Sequence, residues 1–230
     1  MYSALIPLLG LEIGMPFTDP IADGPIIQAA MQRALSTGAN QQTVLALGHA
    51  LRRKSVIPMI LFTYYNPLLQ AGPDYLHQLA AAGFNGVLVN DLPLEEIEPH
   101  LKNMAKAGLD PILIATPATS PERLKKIASY STGFIYYACQ KGTTGLRKTL
   151  PEDLAPAVRA IKKTTSTPVV VGFGISSREN AQEVLKTADG FVVGSAFVQL
   201  VGKKAPPEDF KHLAQRLRLL DPDCHLAIRV

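Results

Sequence analysis

The stretch PVVVGFGISSRENAQEVLKTADGFVVG, residues 168–194, decides the fold of this chain. Its two ends, PVVVGF (168–173) and GFVVG (190–194), are short apolar runs, and its middle, SRENAQEVLKTA (177–188), is amphipathic. Apolar runs of this length are typical of strands buried on both faces, which occur in parallel sheets covered by helices. The stretch therefore predicts a strand–helix–strand unit.

The same alternation extends outward from this unit through the rest of the chain. Further apolar runs predict strands at LLGLEIG (8–14), VIPMILF (56–62), GVLVN (86–90), PILIA (111–115) and FIYYA (134–138). Amphipathic stretches predict helices over residues 26–38, 43–54, 73–83, 94–108, 120–130 and 150–163. Ser120 followed by Pro121 marks a helix start, and Gly83 and Gly108 follow helix ends. This repeat has no linker, so we expect one α/β barrel domain over residues 1–230.

Composition agrees with a single barrel domain and narrows the function classes. The 230 residues carry 23 Lys+Arg and 19 Asp+Glu, a net charge of +4, and 47% are apolar. This composition predicts a sizeable core and excludes disorder as the main state. The basic residues are dispersed and not massed with aromatics, so the charge suits an anionic small molecule and not nucleic acid.

Targeting and metal signals are absent from the sequence. No apolar stretch approaches the roughly 18 residues of a membrane span, and MYSALIPLLG (1–10) lacks the basic residues of a signal peptide. The two cysteines, Cys139 and Cys224, form no CxxC or Cys/His pattern. We therefore expect a cytoplasmic protein with no membrane segment and no metal site.

The strand count raises a problem for the barrel. A closed (βα)8 TIM barrel needs eight strands, and the runs above give seven. Only seven residues precede LLGLEIG, too few for a strand and its helix. The first strand therefore appears as missing: either the chain begins inside the first helix of a barrel, or the barrel is incomplete and has two unpaired edges, which favour aggregation or pairing with a partner.

Two glycine-containing strand ends predict a phosphate site. In βα barrels the reacting groups lie at the C-terminal ends of the strands. GFGIS (172–176) precedes a helix, and VVGSAFV (192–198) places Gly194 and Ser195 at the start of another. Unpaired N–H groups and the helix dipole favour an anion there, and glycine lets it come close. The ordinary alternative is a pair of glycine-assisted turns.

The first predicted strand end, LEIGMPFTDPIADG (11–24), contains two candidate acids. Glu12 alternates with Leu11 and Ile13, so it is expected to face the barrel interior, where burial raises a carboxyl pKa toward the range useful for proton transfer. Asp23 follows in a proline-containing loop. A paired structural acid and a helix cap are the plain alternatives for these two residues. Carboxylates in different environments can take different roles, one exchanging protons and one staying ionised.

These residues resemble a known family, the tryptophan synthase alpha subunit. LEIGMPFTDPIADG is similar to the family signature at essentially every position. The similarity continues through YYNPLL (64–69), GVLVNDLP (86–93), GTTGLR (142–147), GFGIS and VVGSAFV. It covers nearly the whole chain from residue 8. The resemblance implies an N-terminally shortened member, because the family has a further N-terminal segment that supplies the first strand.

The resemblance implies a carbon–carbon lyase of tryptophan biosynthesis, which splits indole-3-glycerol phosphate into indole and glyceraldehyde 3-phosphate by a retro-aldol reaction. Glu12 would shuttle the protons, and Asp23 would hold the indole N–H. The substrate would further be lined by Tyr64, Leu88, Tyr136, Thr144 and Phe173, and its phosphate held by Gly145, Gly174, Gly194 and Ser195. The loop from Cys139 to Thr149 would close over it, with Thr144 meeting Asp23.

The resemblance also implies a partner. Alpha subunits of this family work in an alpha2beta2 heterotetramer with a beta subunit, which alone carries pyridoxal phosphate. Asp19, Asn66 and Pro67 fall where family members contact that partner. Two alternatives stay open: a catalytically impaired, truncated alpha subunit that acts as a non-catalytic partner of the beta subunit, and another phosphosugar barrel.

Overall fold

The structure, a computed structural model, describes residues 9–139, 150–172, 175, 177–217 and 225–229; at residue 9 and at 225–229 it describes the backbone. Its strands form a closed barrel in chain order, and each neighbouring pair is parallel. They are β1 (Leu9–Gly14), β2 (Met59–Thr63), β3 (Gly86–Val89), β4 (Asp110–Ala115), β5 (Ile135–Ala138), β6 (Val169–Gly172), β7 (Gly190–Val193) and β8 (His225–Arg229). The predicted TIM-type barrel is confirmed, and β1–β7 are the strands that the apolar runs predict.

Helices follow the strands and cover the barrel from outside. They are α1 (Pro25–Ser36), α2 (Gln41–Arg52), α3 (Tyr65–Ala71), α4 (Tyr75–Ala81), α5 (Glu98–Ala107), α6 (Pro121–Tyr130), α7 (Leu154–Lys162), α8 (Arg178–Leu185), α9 (Ser195–Gly202) and α10 (Pro207–Leu217). The predicted helix ends are confirmed: the Ser120 hydroxyl accepts a hydrogen bond from the Arg123 N–H, and Gly108 ends α5 in the left-handed conformation. Among the described residues, no helix has both the length and the apolarity that crossing a membrane requires.

Strand β8 was not predicted from the sequence, and it rules out the predicted alternative of an incomplete barrel. It lies between β7 and β1, where Leu9–Glu12 pair with Leu226–Arg229 and Gly190–Val193 pair with His225–Ile228. The alternative of an incomplete barrel with two unpaired edges is therefore wrong. The physical reason is that extended backbone pairs through its N–H and C=O groups whatever its side chains, so a short terminal segment satisfies both edges.

The core has an inner and an outer layer, and strand alternation separates them. Ile60 and Phe62 of β2 belong to the cluster inside the barrel, whereas Met59 and Leu61 pack between the sheet and the helices. The other buried members of the inner cluster are Leu88, Ile112, Tyr136, Ala138 and Val192. The register of the strands therefore decides which side chains can line a site within the barrel. We call the two ends of the barrel its N-terminal and C-terminal ends, after the strand termini that form them.

Candidate active site

Glu12 lies at a register position that faces the barrel interior. Its Cα pairs with that of Ile60, a member of the inner cluster, whereas the neighbouring Ile13 packs in the outer layer. Glu12 is only 1% exposed. Since a carboxylate loses its hydration on burial, an acid at such a position is kept at a cost in free energy. The expected inward placement of Glu12 agrees with this geometry.

Asp23 ends the loop between β1 and α1 and is fully buried. The loop is tightened at this point, because the Asp23 N–H donates to the Pro20 carbonyl at 3.0 Å. Gly24 is the N-cap residue of α1 and makes no side-chain cap bond. The carboxylate of Asp23 instead accepts a hydrogen bond from the Tyr64 hydroxyl, 2.9 Å from its Oδ2 atom. The N-cap position of α1 is therefore held by Gly24, and Asp23 lies one residue before it.

Tyr64 joins the end of β2 to this loop. Its hydroxyl donates to Asp23 and accepts from the Ala22 N–H at 3.1 Å, so one oxygen fixes two consecutive loop residues. The ring is fully buried and lies 5.3 Å from that of Phe17. Burial first, and the negative charge of Asp23 second, raise the pKa of Tyr64 to about 12. Tyr64 therefore keeps its proton and remains a donor to Asp23 near neutral pH.

The inner cluster supplies an apolar and aromatic lining below these polar groups. Leu88 is fully buried, and the rings of Phe62 and Tyr136 lie 6.5 Å apart in an edge-on arrangement. The Tyr136 hydroxyl approaches the backbone of Gly172 so closely that a Cβ at that position would overlap it. Only glycine leaves room there, so β6 is fitted to the tyrosine of β5.

The predicted phosphate site is described in part. Gly194 is the N-cap residue of α9, Ser195 is its first helical residue, and both are partly exposed at the C-terminal end of the barrel. The first N–H groups of such a helix have no intrahelical acceptor, so they suit an anion. The remaining predicted residues of the substrate site, Thr144, Gly145, Phe173 and Gly174, lie outside the described residues, as does most of the closing loop.

The predicted partner-facing residues lie on the outside of the same barrel end. Asp19 and Asn66 are exposed, whereas Pro67 is buried within α3. Two exposed apolar side chains accompany them: Ile21, 77% exposed, in the Asp19 loop, and Leu69, 57% exposed, in α3. Sequence reasoning missed both, although an isoleucine between Pro20 and Ala22 in a polar loop is a recognisable signal.

Sequence reasoning also missed two contacts that fix the site. Asp91, at the end of β3, accepts a hydrogen bond from the Tyr65 N–H at 2.7 Å and so holds the start of α3. The Gln28 side chain donates to the Asp23 carbonyl at 2.8 Å. Tyr65 and Asp91 are far apart in sequence, and Gln28 and Asp23 belong to no motif for such a bond. No local sequence pattern therefore predicts either contact. Among the described residues, no group of three His, Cys, Asp or Glu side chains could hold a metal ion.

Comparisons with known proteins identify the family of this chain. A family model described as tryptophan synthase alpha chain matches residues 9–221. The tryptophan synthase alpha chain of Chlamydia caviae is 50% identical over 211 residues, which are 90% of this chain and 82% of that protein. The protein of the same description from Coxiella burnetii is 48% identical over 216 residues, 94% of this chain and 81% of that protein.

Solved structures give the same result. A mutant tryptophan synthase alpha-subunit from Pyrococcus furiosus has a TM-score of 0.84 and 38% sequence identity, covering 90% of this chain and 85% of that one. A chain from a structure of the tryptophan synthase a2b2 complex of the same organism, which addresses its mutual activation, has a TM-score of 0.83 and 38% identity, covering 90% and 84%.

Proposed function

Because this chain belongs to the tryptophan synthase alpha chain family, we propose that it is a carbon–carbon lyase of tryptophan biosynthesis. It cleaves indole-3-glycerol phosphate into indole and glyceraldehyde 3-phosphate by a retro-aldol reaction. The single observation that carries this proposal is the burial of two carboxylates, Glu12 and Asp23, at the C-terminal end of one barrel. That is the end at which barrel enzymes place their reacting groups.

Glu12 is proposed to move the protons. A proton delivered to C3 of the indole places positive charge on the ring, and a proton removed from the adjoining side-chain hydroxyl prepares the carbonyl of the aldehyde. The carbon–carbon bond then breaks, its electron pair returns to the ring, and neutral indole leaves. Glu12 suits this exchange because its strand places it among apolar side chains inside the barrel. One proton is delivered to the ring and one is taken from the hydroxyl, so the reaction balances without any further reactant.

Asp23 is proposed to stay ionised and to stabilise the positive charge that develops at the indole N–H. A preorganised charge in a water-poor site is effective, since it does not need to reorient during the reaction. The Tyr64 hydroxyl holds the Asp23 Oδ2 atom at 2.9 Å and thereby supplies this preorganisation. Leu88 and Tyr136 would pack against the indole ring.

The phosphate is proposed to bind at Gly194 and Ser195, with Gly145 and Gly174 completing its site. Thr144 would meet Asp23 when the loop from Cys139 to Thr149 closes, and Phe173 would complete the indole pocket. Support from the described residues is the N-terminus of α9, whose N–H groups suit an anion.

We further propose a beta subunit as the partner, in an alpha2beta2 assembly in the cytoplasm. The pyridoxal phosphate of that assembly belongs to the beta subunit, and the lyase step written above needs no cofactor from this chain. Asp19 and Asn66 would face the partner, with the buried Pro67 holding the start of α3 beneath them. The exposed Ile21 and Leu69 beside them supply apolar area for an interface. The non-catalytic alternative is not favoured by the relatives, which are tryptophan synthase alpha chains at about 50% identity.

The activity is tested by indole release from indole-3-glycerol phosphate. Glu12→Gln and Asp23→Asn remove charge with almost no change in shape, and we expect each to lower kcat by roughly 100-fold or more. The matched control is Asp189→Asn at the N-terminal end, where the carboxylate accepts from the Val169 N–H at 2.8 Å. That change should lower stability by about 1 kcal/mol and leave kcat unchanged. Equal rates in the wild type and both acid variants would refute the proposed roles.

The partner is tested by association with a beta subunit. Ile21→Asp and Leu69→Asp place charge on the proposed interface, so each should weaken binding at least tenfold in calorimetric titration. Val56→Asp is the matched control, because Val56 is 93% exposed just before β2 at the N-terminal end of the barrel. Weakening by the control as large as that by Ile21→Asp would contradict the proposed face.

A further inference from the structure

The barrel is closed by a strand that lies outside the family match. That match ends at residue 221, whereas β8 comprises His225–Arg229. Yet β8 pairs with β1 on one side and with β7 on the other, and both pairings are parallel. A segment beyond the residues that the family model matches thus completes the sheet that carries the candidate site.

The place that β8 occupies lies between two strands, with α9 beside it. We call it the seam: the facing edges of β7 (Gly190–Val193) and β1 (Leu9–Glu12). Outside the seam, α1 and α9 pack directly against each other through a cluster that includes Ile27, Met31 and Val198. This contact joins the helix that follows β1 to the helix that follows β7, so the helices link the two edges of the seam from outside.

Both edges of the seam present unsatisfied backbone groups when β8 is absent. An edge strand offers a row of N–H and C=O groups to any extended segment, and such pairing needs few specific side chains. HLAIR contains no proline, which would remove a donor from a strand paired on both sides. Residues 225–229 can therefore pair through their backbone with both edges of the seam.

We propose that the seam is a strand-binding site whose occupant is this chain's own C-terminal segment, and that a separate copy of the segment can fill it. Occupancy holds β1 in its central position in the sheet. The register gives this a consequence for the site, because Glu12 pairs with Ile60 on one side and with Arg229 on the other. Without β8, the strand that carries Glu12 would be paired on one side only and would become an edge strand of the sheet. The consequence for activity rests on the proposed function; the binding site itself does not.

Hydrogen exchange on the full chain tests the site without any assay of activity. In the wild type, amides of 225–229 should exchange at least tenfold more slowly than in a free peptide of residues 222–230. Exchange as fast as in the free peptide would overturn the proposal, whichever variants fold. Ala227→Pro removes a donor in the middle of β8, and we expect at least tenfold faster exchange in β1 and β7 but not in β4. Ala227→Gly keeps the donor and should leave β1 and β7 protected.

Addition of the synthetic 222–230 peptide provides the second measurement. In excess over the Ala227→Pro protein, it should restore the slow exchange of β1 and β7 and recover indole release at least tenfold. Persistent fast exchange with the peptide present would overturn the proposal, as would unchanged exchange in β1 and β7 of the Ala227→Pro protein. If exchange recovers while even the wild type releases no indole, the strand-binding site stands and the proposed function fails.

Discussion

Two pairs of carboxylates, one pair at each end of the barrel, lie in different surroundings. At the N-terminal end, Asp110 and Asp189 are partly exposed and bond to the segments beside them; Asp110 accepts from the Thr132 hydroxyl at 2.6 Å. At the C-terminal end, Glu12 and Asp23 are 1% and 0% exposed. A partly hydrated carboxylate that bonds neighbouring backbone stabilises the chain at little cost, whereas a buried one costs free energy. The two pairs differ as the proposed function requires: Asp110 and Asp189 stabilise the fold, whereas Glu12 and Asp23 are the acids proposed to react.

The largest expected effect that sharpens this comparison comes from Gly172→Ala at the C-terminal end. The added Cβ overlaps the Tyr136 hydroxyl, so β5 or β6 must shift and the inner lining with it. We expect a loss of about 1–3 kcal/mol in unfolding free energy and a large drop in indole release. Urea unfolding and the indole assay measure the two effects.

Gly133→Ala is the control at the N-terminal end. A Cβ there would lie 3.3 Å from the Asp110 Cβ, a contact that small adjustments relieve. We expect a minor change in stability and none in kcat. Equal losses of activity in Gly172→Ala and Gly133→Ala would contradict the prediction that indole release depends on packing at the C-terminal end and not at the N-terminal end.

A smaller effect is expected for Tyr64→Phe. The variant removes the hydrogen bond to the Asp23 Oδ2 atom and the one from the Ala22 N–H, while the ring stays in its packing. Because Asp23 is then less well positioned, we expect roughly a tenfold lower kcat, equivalent to about 1.4 kcal/mol. Steady-state kinetics with indole-3-glycerol phosphate measure this.

Tyr137→Phe is the matched control for Tyr64→Phe. The Tyr137 hydroxyl is buried and has no hydrogen-bond partner among the described residues, and its ring packs in the outer layer. Its removal should leave kcat unchanged. A comparable loss of activity in the two variants would mean that the Asp23 contact is not what matters at Tyr64.

The smallest effect concerns His100, a buried side chain of α5 that packs edge-on against the Tyr65 ring at 5.8 Å. Burial lowers the pKa of His100 to about 4, so it is neutral in the folded chain near pH 7. Unfolded chains bind the proton with a pKa near 6.5, so stability begins to fall slightly above that pH, falls more steeply below it, and the loss levels off near pH 4; only the small onset lies near neutral pH. From pH 7.5 to 6.5 the loss should be about 0.4 kcal/mol.

Urea unfolding across this pH range measures the effect. His100→Phe should remove this part of the pH dependence, whereas His77→Gln on the exposed face of α4 should keep it. The same slope in wild type and His100→Phe would place the titrating group elsewhere.

Local signals in the sequence account for most of the fold. Unbroken apolar runs predict buried strands such as β7, and Ser120 followed by Pro121 predicts the start of α6. Helix α10 was missed although Pro207 and two acids in its first turn are ordinary start signals. Strand β8 has no such signal, because five residues of mixed polarity become a strand only through two partners far away in sequence.

The site is predictable to a lesser degree. Glu12 could be placed inside the barrel because strand alternation fixes its face. The partner of Asp23 could not be predicted, because Tyr64 lies 41 residues away and the bond depends on how the loop folds over the end of β2. Sequence patterns thus indicate the candidate acids, whereas the environment of these acids follows from packing between distant segments.

The pairing of β1 with β8 has a consequence for the synthesis of this chain on the ribosome. Residues are added at roughly 5–20 per second, and the strand that closes the barrel is the last of the eight to emerge. Leu9 therefore cannot pair with Leu226 until every residue between them has been synthesised. The nascent protein must pass through this interval with its sheet open, and contacts this distant in sequence also slow the final folding step.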